Sequence, residues 1–159
     1  LGPSGARAAY FVMDERVMLT FLADSFVAVS SDGGPSMAHP RGYGTFTRVL
    51  SRYTGREGVL SLEEAVRRMT SLPASVVGLD DPGRVETPRG RIRQGFAADL
   101  VLFDPPALRD LADFETPHTT SEGMDRVWVN GVPAWEGGAP VPGAASGRVI
   151  RRRAGQAAP

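Results

Sequence analysis

Cysteine and lysine are both missing from these 159 residues. Without cysteine there is no disulfide, no thiolate nucleophile and no thiolate-ligated zinc. Without lysine there is no side-chain amine to act as a nucleophile or form a Schiff base. All 18 basic residues are therefore arginine, which reads as a bias of genomic composition more than as a mechanism. Histidine is scarce as well, with two copies, His39 and His118. Net charge is absent too, since 18 acidic residues balance the 18 basic ones. No global field draws such a chain onto nucleic acid or an anionic membrane. No apolar run approaches the roughly 18 residues of a membrane span. The stretch "LGPSGARAAYFVMDERV" also lacks the long apolar core of a secretory signal. The expectation is a cytoplasmic protein with neither nucleic acid nor membrane as partner. Leu1 is not an initiator methionine, so the chain reads as processed, tagged or cut from something longer.

What remains is the composition of a globular protein, 42% hydrophobic and 23% charged. The length suits one ordinary domain. It falls short of a complete eight-stranded α/β barrel, which needs about 250 residues.

Residues 9–13, "AYFVM", have strand character. Asp14 then caps a helix whose stripe is Val17, Met18, Phe21 and Leu22. Residues 26–30, "FVAVS", form a second buried strand. Strand, helix, strand, with a connection near a dozen residues, predicts a βαβ unit with parallel strands covered by helices. Residues 33–44 hold four glycines and two prolines, so they predict a loop. "FTRVLSRYT" has helical spacing, closed by Gly55 and Gly58. Ser61 and Glu64 form a capping box ahead of Leu62, Ala65, Val66 and Met69. Pro73 breaks that helix or opens a short second one ending near Gly78.

From residue 80 glycine and proline become dense and the apolar runs shorten. After a turn at Gly95 the pattern predicts a buried strand, Leu100 to Phe103. "DRVWVNGVPAWEGG" predicts a β-hairpin turning at Asn130-Gly131. "GRVIRRR" predicts a last short strand, and residues 154–159 a frayed tail. An α/β part, 1–80, thus precedes a β-rich part, 81–153.

Sites in parallel α/β sheets lie beyond the carboxyl ends of the strands. Asp32 stands there, two residues past Ser30. A carboxylate in that place can bind a metal or act as a general base. It can equally open a Ser-Asp-Gly-Gly turn by bonding its own backbone. His39 is a candidate metal ligand, proton shuttle or loop anchor. Arg41 is a candidate bidentate clamp for a substrate carboxylate, or a solvated loop charge. Tyr43 orients a substrate or packs the loop. His118, far from any strand end, reads as a structural loop histidine. Asp99 reads as a brace for the Gly95 loop. Trp128 and Trp135, flanking the hairpin turn, read as packing.

Five stretches, "SSDGG…HPRGYGTFTRVLSRY", "LSLEEAVRRMTSLPASVVGL", "GRIRQGFAADLVLFDP", "TPHTTSEGMDRVWVNGVPAWEGG" and "GRVIRR", together resemble the C-terminal part of N-acyl-D-amino-acid deacylases. These are D-aminoacylases of the metal-dependent amidohydrolase superfamily. "GxxADLVxFD" followed by "VxVNG" marks only the superfamily, whereas "HPRxYGTF" with the "PH…G" segment is specific to the deacylase branch. The resemblance implies an α/β fold, the C-terminal portion of a (β/α)8 barrel. Its last two strands and helices precede part of a small β-sandwich. It implies zinc-dependent hydrolysis of the amide of N-acyl-D-amino acids. Asp32 matches the aspartate that ends the eighth barrel strand and binds metal or takes the proton of the attacking water. Arg41 matches the arginine that binds the substrate's α-carboxylate. His39 and Tyr43 lie on the loop beside that substrate site.

The same resemblance implies that most of the zinc site lies elsewhere. The family's other metal ligands, a cysteine and histidines, come from earlier strands. Here there is no cysteine, and both histidines follow Asp32. One carboxylate does not hold zinc, because catalytic sites use about three protein ligands. The chain by itself is expected to be inactive. It is completed by the missing N-terminal barrel portion or by a homo-oligomer, and its substrate is a small N-acyl amino acid. The competing expectation is a non-catalytic truncated or isolated domain. A cyclic-amide hydrolase is a third reading, and "HPRxYGTF" argues against it.

Overall fold

The computed structural model describes residues 11–34 and 36–153. Helix α1, Glu15–Ala23, starts where Asp14 accepts a hydrogen bond from the Arg16 amide at 2.8 Å. Its expected stripe divides. Leu22 is buried with Met18 against it, whereas Val17 and Phe21 face outward.

Helix α2, Arg41–Arg48, begins earlier than its sequence suggests. Pro40 tolerates the position before a helix because its missing N–H would have no partner there. Gly42 and Gly44, expected in a loop, lie in the helix. Helix α2 runs directly into a π-helix, π1, Val49–Arg56. The Glu57 amide bonds the Arg52 carbonyl five residues back, at 2.8 Å. Helix α3, Leu62–Met69, is capped by Ser61, whose Oγ accepts from the Glu64 amide at 3.2 Å. The reciprocal half of the expected box is diverted, because the Glu64 carboxylate turns to Arg67 and Arg68. Helix α4, Ser71–Val77, ends at Gly78 with φ of 75°, as Pro73 and Gly78 suggested.

Leu22, Val49, Leu50, Tyr53, Leu60, Ala65 and Leu108 form one buried cluster between α1, π1 and α3. Arg68 is buried among them at 2% exposure. It donates to the Leu22 and Ala23 carbonyls, two of the four unpaired carbonyls that end α1, and to Glu64 at 2.8 Å.

The sheet is antiparallel throughout, ordered β1-β2-β3-β4. Its strands are β1, Leu100–Phe103, β2, Met124–Val129, β3, Val132–Glu136, and β4, Ala139–Pro140. The β2–β3 hairpin turns at Asn130 and Gly131, with φ of 51° and 80°. Both central residues of this turn need positive φ, which Asn and Gly tolerate best. Asp99 braces the turn by accepting from the Asn130 amide at 2.8 Å and pairing with Arg89. Trp135 packs the sheet and donates Nε1–H to the Met124 carbonyl at 3.2 Å.

Three expectations fail here. No βαβ ladder forms among the described residues. Residues 26–30 form no strand: Phe26 lies in a turn, and the Val29 amide bonds the Arg68 carbonyl at 3.1 Å. Two strands without neighbours are marginal in water. Residues 9 and 10 lie outside the described part. Strand β1 is not buried, since Val101 and Leu102 are about half exposed. Residues 147–153 hold a single bridge, Arg152 to Val85, rather than a strand. The expected frayed tail at 154–159 lies outside the described residues. Among the described residues no helix is long and apolar enough to cross a membrane.

Candidate functional site

Residues 26–30 deliver Asp32 to an open surface, with its side chain 84% exposed. Its backbone is left-handed, with φ of 46°. Aspartate tolerates that region better than most residues. The Ser30 and Ser31 hydroxyls accept from the amides of Asp32, at 3.4 Å, and Gly33, at 3.2 Å. These bonds set the turn that the sequence offered as one reading of Asp32.

The turn also lays Asp32 across the start of α2. A Cβ on Gly33 would stand 2.8 Å from the Gly42 Cα. Only a bare glycine lets the two backbones approach this closely. The contact brings Arg41 beneath Asp32. Arg41 Nη2 lies 3.0 Å from Asp32 Oδ2, and Arg41 Nε donates to the Asp32 carbonyl at 3.1 Å. The guanidinium thus grips both the side chain and the backbone of one residue.

His39 anchors the same turn. Its Nδ1 accepts from the Arg41 amide at 3.1 Å, which requires a neutral ring with its proton on Nε2. Burial first, and the neighbouring Arg41 charge second, hold its pKa below the ordinary 6.5. With Nδ1 committed to the helix start, the loop-anchor role is the one the local geometry supports. The Tyr43 carbonyl accepts from Ser121 Oγ at 3.2 Å, and its ring lies 5.4 Å from the His118 ring.

The four residues singled out from sequence, Asp32, His39, Arg41 and Tyr43, therefore lie along one turn and the first helical residues after it. His118 joins them, and sequence reasoning had set it apart. Its Nε2 donates to the Met37 carbonyl at 3.1 Å. Phe114, which no sequence pattern marked, meets the His39 ring edge-on at 5.0 Å. Both contacts span more than 70 positions of chain, and no local periodicity encodes them.

No group of three or more His, Asp or Glu side chains among the described residues could hold a metal ion. Asp32 offers a single carboxylate, and the described donors do not complete a zinc site. Two surface hollows of about 300 and 330 Å³ flank π1, lined by Arg48, Arg52, Arg56 and Asp110 among others. Neither includes Asp32 or Arg41. The candidate residues form one open wall.

A family model described as "Amidohydrolase family" matches residues 3–134. Two curated relatives come from Alcaligenes xylosoxydans xylosoxydans. The chain is 42% identical to its D-aminoacylase over 156 residues, which is 97% of this chain and 30% of the relative. It is 43% identical to its N-acyl-D-aspartate deacylase over 139 residues, 86% of this chain and 26% of the relative. A crystal structure of D-aminoacylase superposes with a TM-score of 0.81 at 41% identity, covering 90% of this chain and 29% of that one. The N-acyl-D-glutamate deacylase of Bordetella bronchiseptica gives 0.79 at 39%, covering 89% and 28%. That enzyme was solved with zinc and a phosphonate inhibitor that mimics the tetrahedral intermediate. The D-aminoacylase is described as having a binuclear metal centre. The present chain spans 26% to 30% of the curated relatives it matches.

Proposed function

The chain belongs to the amidohydrolase family, and from that premise we propose that it is the C-terminal share of a zinc-dependent hydrolase. That enzyme cleaves the amide of N-acyl-D-amino acids to a carboxylate and a free D-amino acid. Residues 1–80 are the end of its barrel, whose strands seven and eight pair only beside the missing barrel portion, followed by the closing helices. Residues 81–153 are a β-rich segment of the adjoining sandwich.

The observation that carries this reading is the Asp32–Arg41 pair, set in a chain more than 40% identical to three deacylases. Asp32 is the one metal-ligating carboxylate this chain contributes. It also accepts the proton of the attacking water and passes it to the leaving amine. Arg41 presents a planar fork that matches the product's α-carboxylate. His39 holds the start of α2 so that this fork points at the substrate, and Tyr43 lines the same side. Zinc, when bound in the complete enzyme, polarises the amide carbonyl and acidifies water. The remaining ligands come from the missing barrel portion or from another copy. The chain alone is therefore inactive, a reading favoured by the incomplete donor set.

Two variants of the full-length polypeptide test this. Asp32→Ala should lose turnover while its circular dichroism stays that of the parent. Retained turnover would return Asp32 to a turn role. Arg41→Ala should raise KM for N-acyl-D-amino acids by about tenfold to a hundredfold, with little change for an N-acyl amine that lacks the carboxylate. Equal losses on both substrates would make Arg41 structural.

A further inference from the structure

The segment between β1 and β2 does more than connect them. Residues 110–121 pack against α2 and the turn before it. Asp110 pairs with Arg48 at the end of α2, at 2.5 Å. Phe114 meets the His39 ring at 5.0 Å and an interplanar angle of 76°. His118 donates to the Met37 carbonyl and sets its ring against Tyr43. Ser121 donates to the Tyr43 carbonyl. The segment is itself tied down. Ala112 is buried, and Asp113 Oδ1 accepts from the Glu115 amide and from both donors of Thr116.

These contacts fall on both sides of Arg41. Pro40 makes no side-chain cap at this helix start, so among the described residues the Arg41 amide is held by His39 Nδ1 alone, and the segment acts on that anchor. Met37 and Tyr43 bracket the turn that carries the fork, and His118 touches both. His39 holds the Arg41 amide, and Phe114 fixes the His39 ring. A bidentate fork binds a planar carboxylate well in one orientation only. A displacement of about 1 Å at such a site can cost about a hundredfold.

We propose that residues 110–121 are a strap that fixes the bearing of the Arg41 fork, with His118 and Phe114 as positioning residues for recognition of the substrate carboxylate. This rests on Arg41 being the carboxylate clamp. It adds a source of specificity that the turn itself does not contain.

The test uses steady-state kinetics of the full-length polypeptide on two substrates, an N-acetyl-D-amino acid and an N-acetyl amine without the carboxylate. His118→Ala should raise KM for the first by about tenfold, keep kcat within about threefold, and leave the second unchanged. Phe114→Ala should act in the same selective direction through His39. Equal losses on both substrates, or a wild-type KM in His118→Ala, would overturn the proposal. If His118→Ala does not fold, two milder variants decide. H118Q keeps a donor for Met37 and H118F keeps a ring for Tyr43. At least one must show the carboxylate-selective rise, and wild-type KM in both rejects the strap. Arg41→Ala separates the two levels. If it shows the selective loss while His118 variants do not, only the strap fails. If Arg41→Ala shows no selective loss, the clamp reading fails first and the strap falls with it.

Discussion

The guanidinium of Arg41 holds the Asp32 carboxylate and the Asp32 carbonyl together. Both side chains are solvent-accessible, and exposed ion pairs contribute only about 0.2–1 kcal/mol. A pair this weak can part, as the proposed roles of Asp32 on a metal and Arg41 on a substrate carboxylate require. His39 behaves differently, because its role depends on staying neutral. Its pKa lies below 6.5 through burial and then the Arg41 charge. The unfolded chain is then the better proton binder. The contribution of His39 to stability is complete above pH 6.5 and declines as pH falls through that value. An NMR titration should place the His39 ring below 6.5, with Arg41 amide protection falling as the ring protonates. A midpoint at or above 6.5 would contradict this. The sequence marked Asp32, His39, Arg41 and Tyr43 because turn residues cluster visibly at the end of an apolar run. It gave no sign of Phe114 or the position of His118, since those contacts are long-range.

At the scale of elements, caps and turns were legible and pairing was not. Asp14, Ser61, Gly78 and the Asn130-Gly131 turn act through neighbours a few residues away, and all of them form, except that Glu64 does not complete the Ser61 box. The 26–30 strand failed because a strand is defined by partners, and here the Val27 and Val29 amides bond the Asp24 and Arg68 carbonyls instead of a neighbouring strand. Helix α3 is therefore the element that holds the approach to Asp32. Arg67 and Arg68 draw the Glu64 carboxyl from an ordinary 4.5 down to about 2. A depressed carboxyl stabilises the fold above pH 4.5, and that contribution is lost as pH falls from 4.5 toward 2. Glu64→Gln should flatten the acid limb of a stability-versus-pH curve over that window. An unchanged limb would show that the pair is not coupled to folding. Removing Arg68 should cost about 1–3 kcal/mol, because it leaves the Leu22 and Ala23 carbonyls without their buried donor, while Glu64 keeps Arg67. Chemical denaturation of Arg68→Ala measures this, and a loss below about 0.5 kcal/mol would contradict it.

At the scale of the whole molecule, the described residues leave large apolar side chains open. Phe26 is 89% exposed and Phe11 is 81% exposed. Large phenylalanines left this open are expected where a chain is covered in a larger assembly. They lie at the same end of the sequence as Asp32, in the part we propose to be the close of a barrel. Composition already excluded a self-sufficient thiolate or lysine site. The length of the relatives, more than three times that of this chain, fits the incomplete donor set. The central claim is that these 159 residues carry one wall of a deacylase site and not the site. The most direct measurement is hydrolysis of an N-acetyl-D-amino acid with added zinc, by the isolated chain and by the full-length polypeptide side by side. The full-length polypeptide should turn over, and the isolated chain should release no free D-amino acid above the zinc-only rate. Turnover by the isolated chain would contradict the claim.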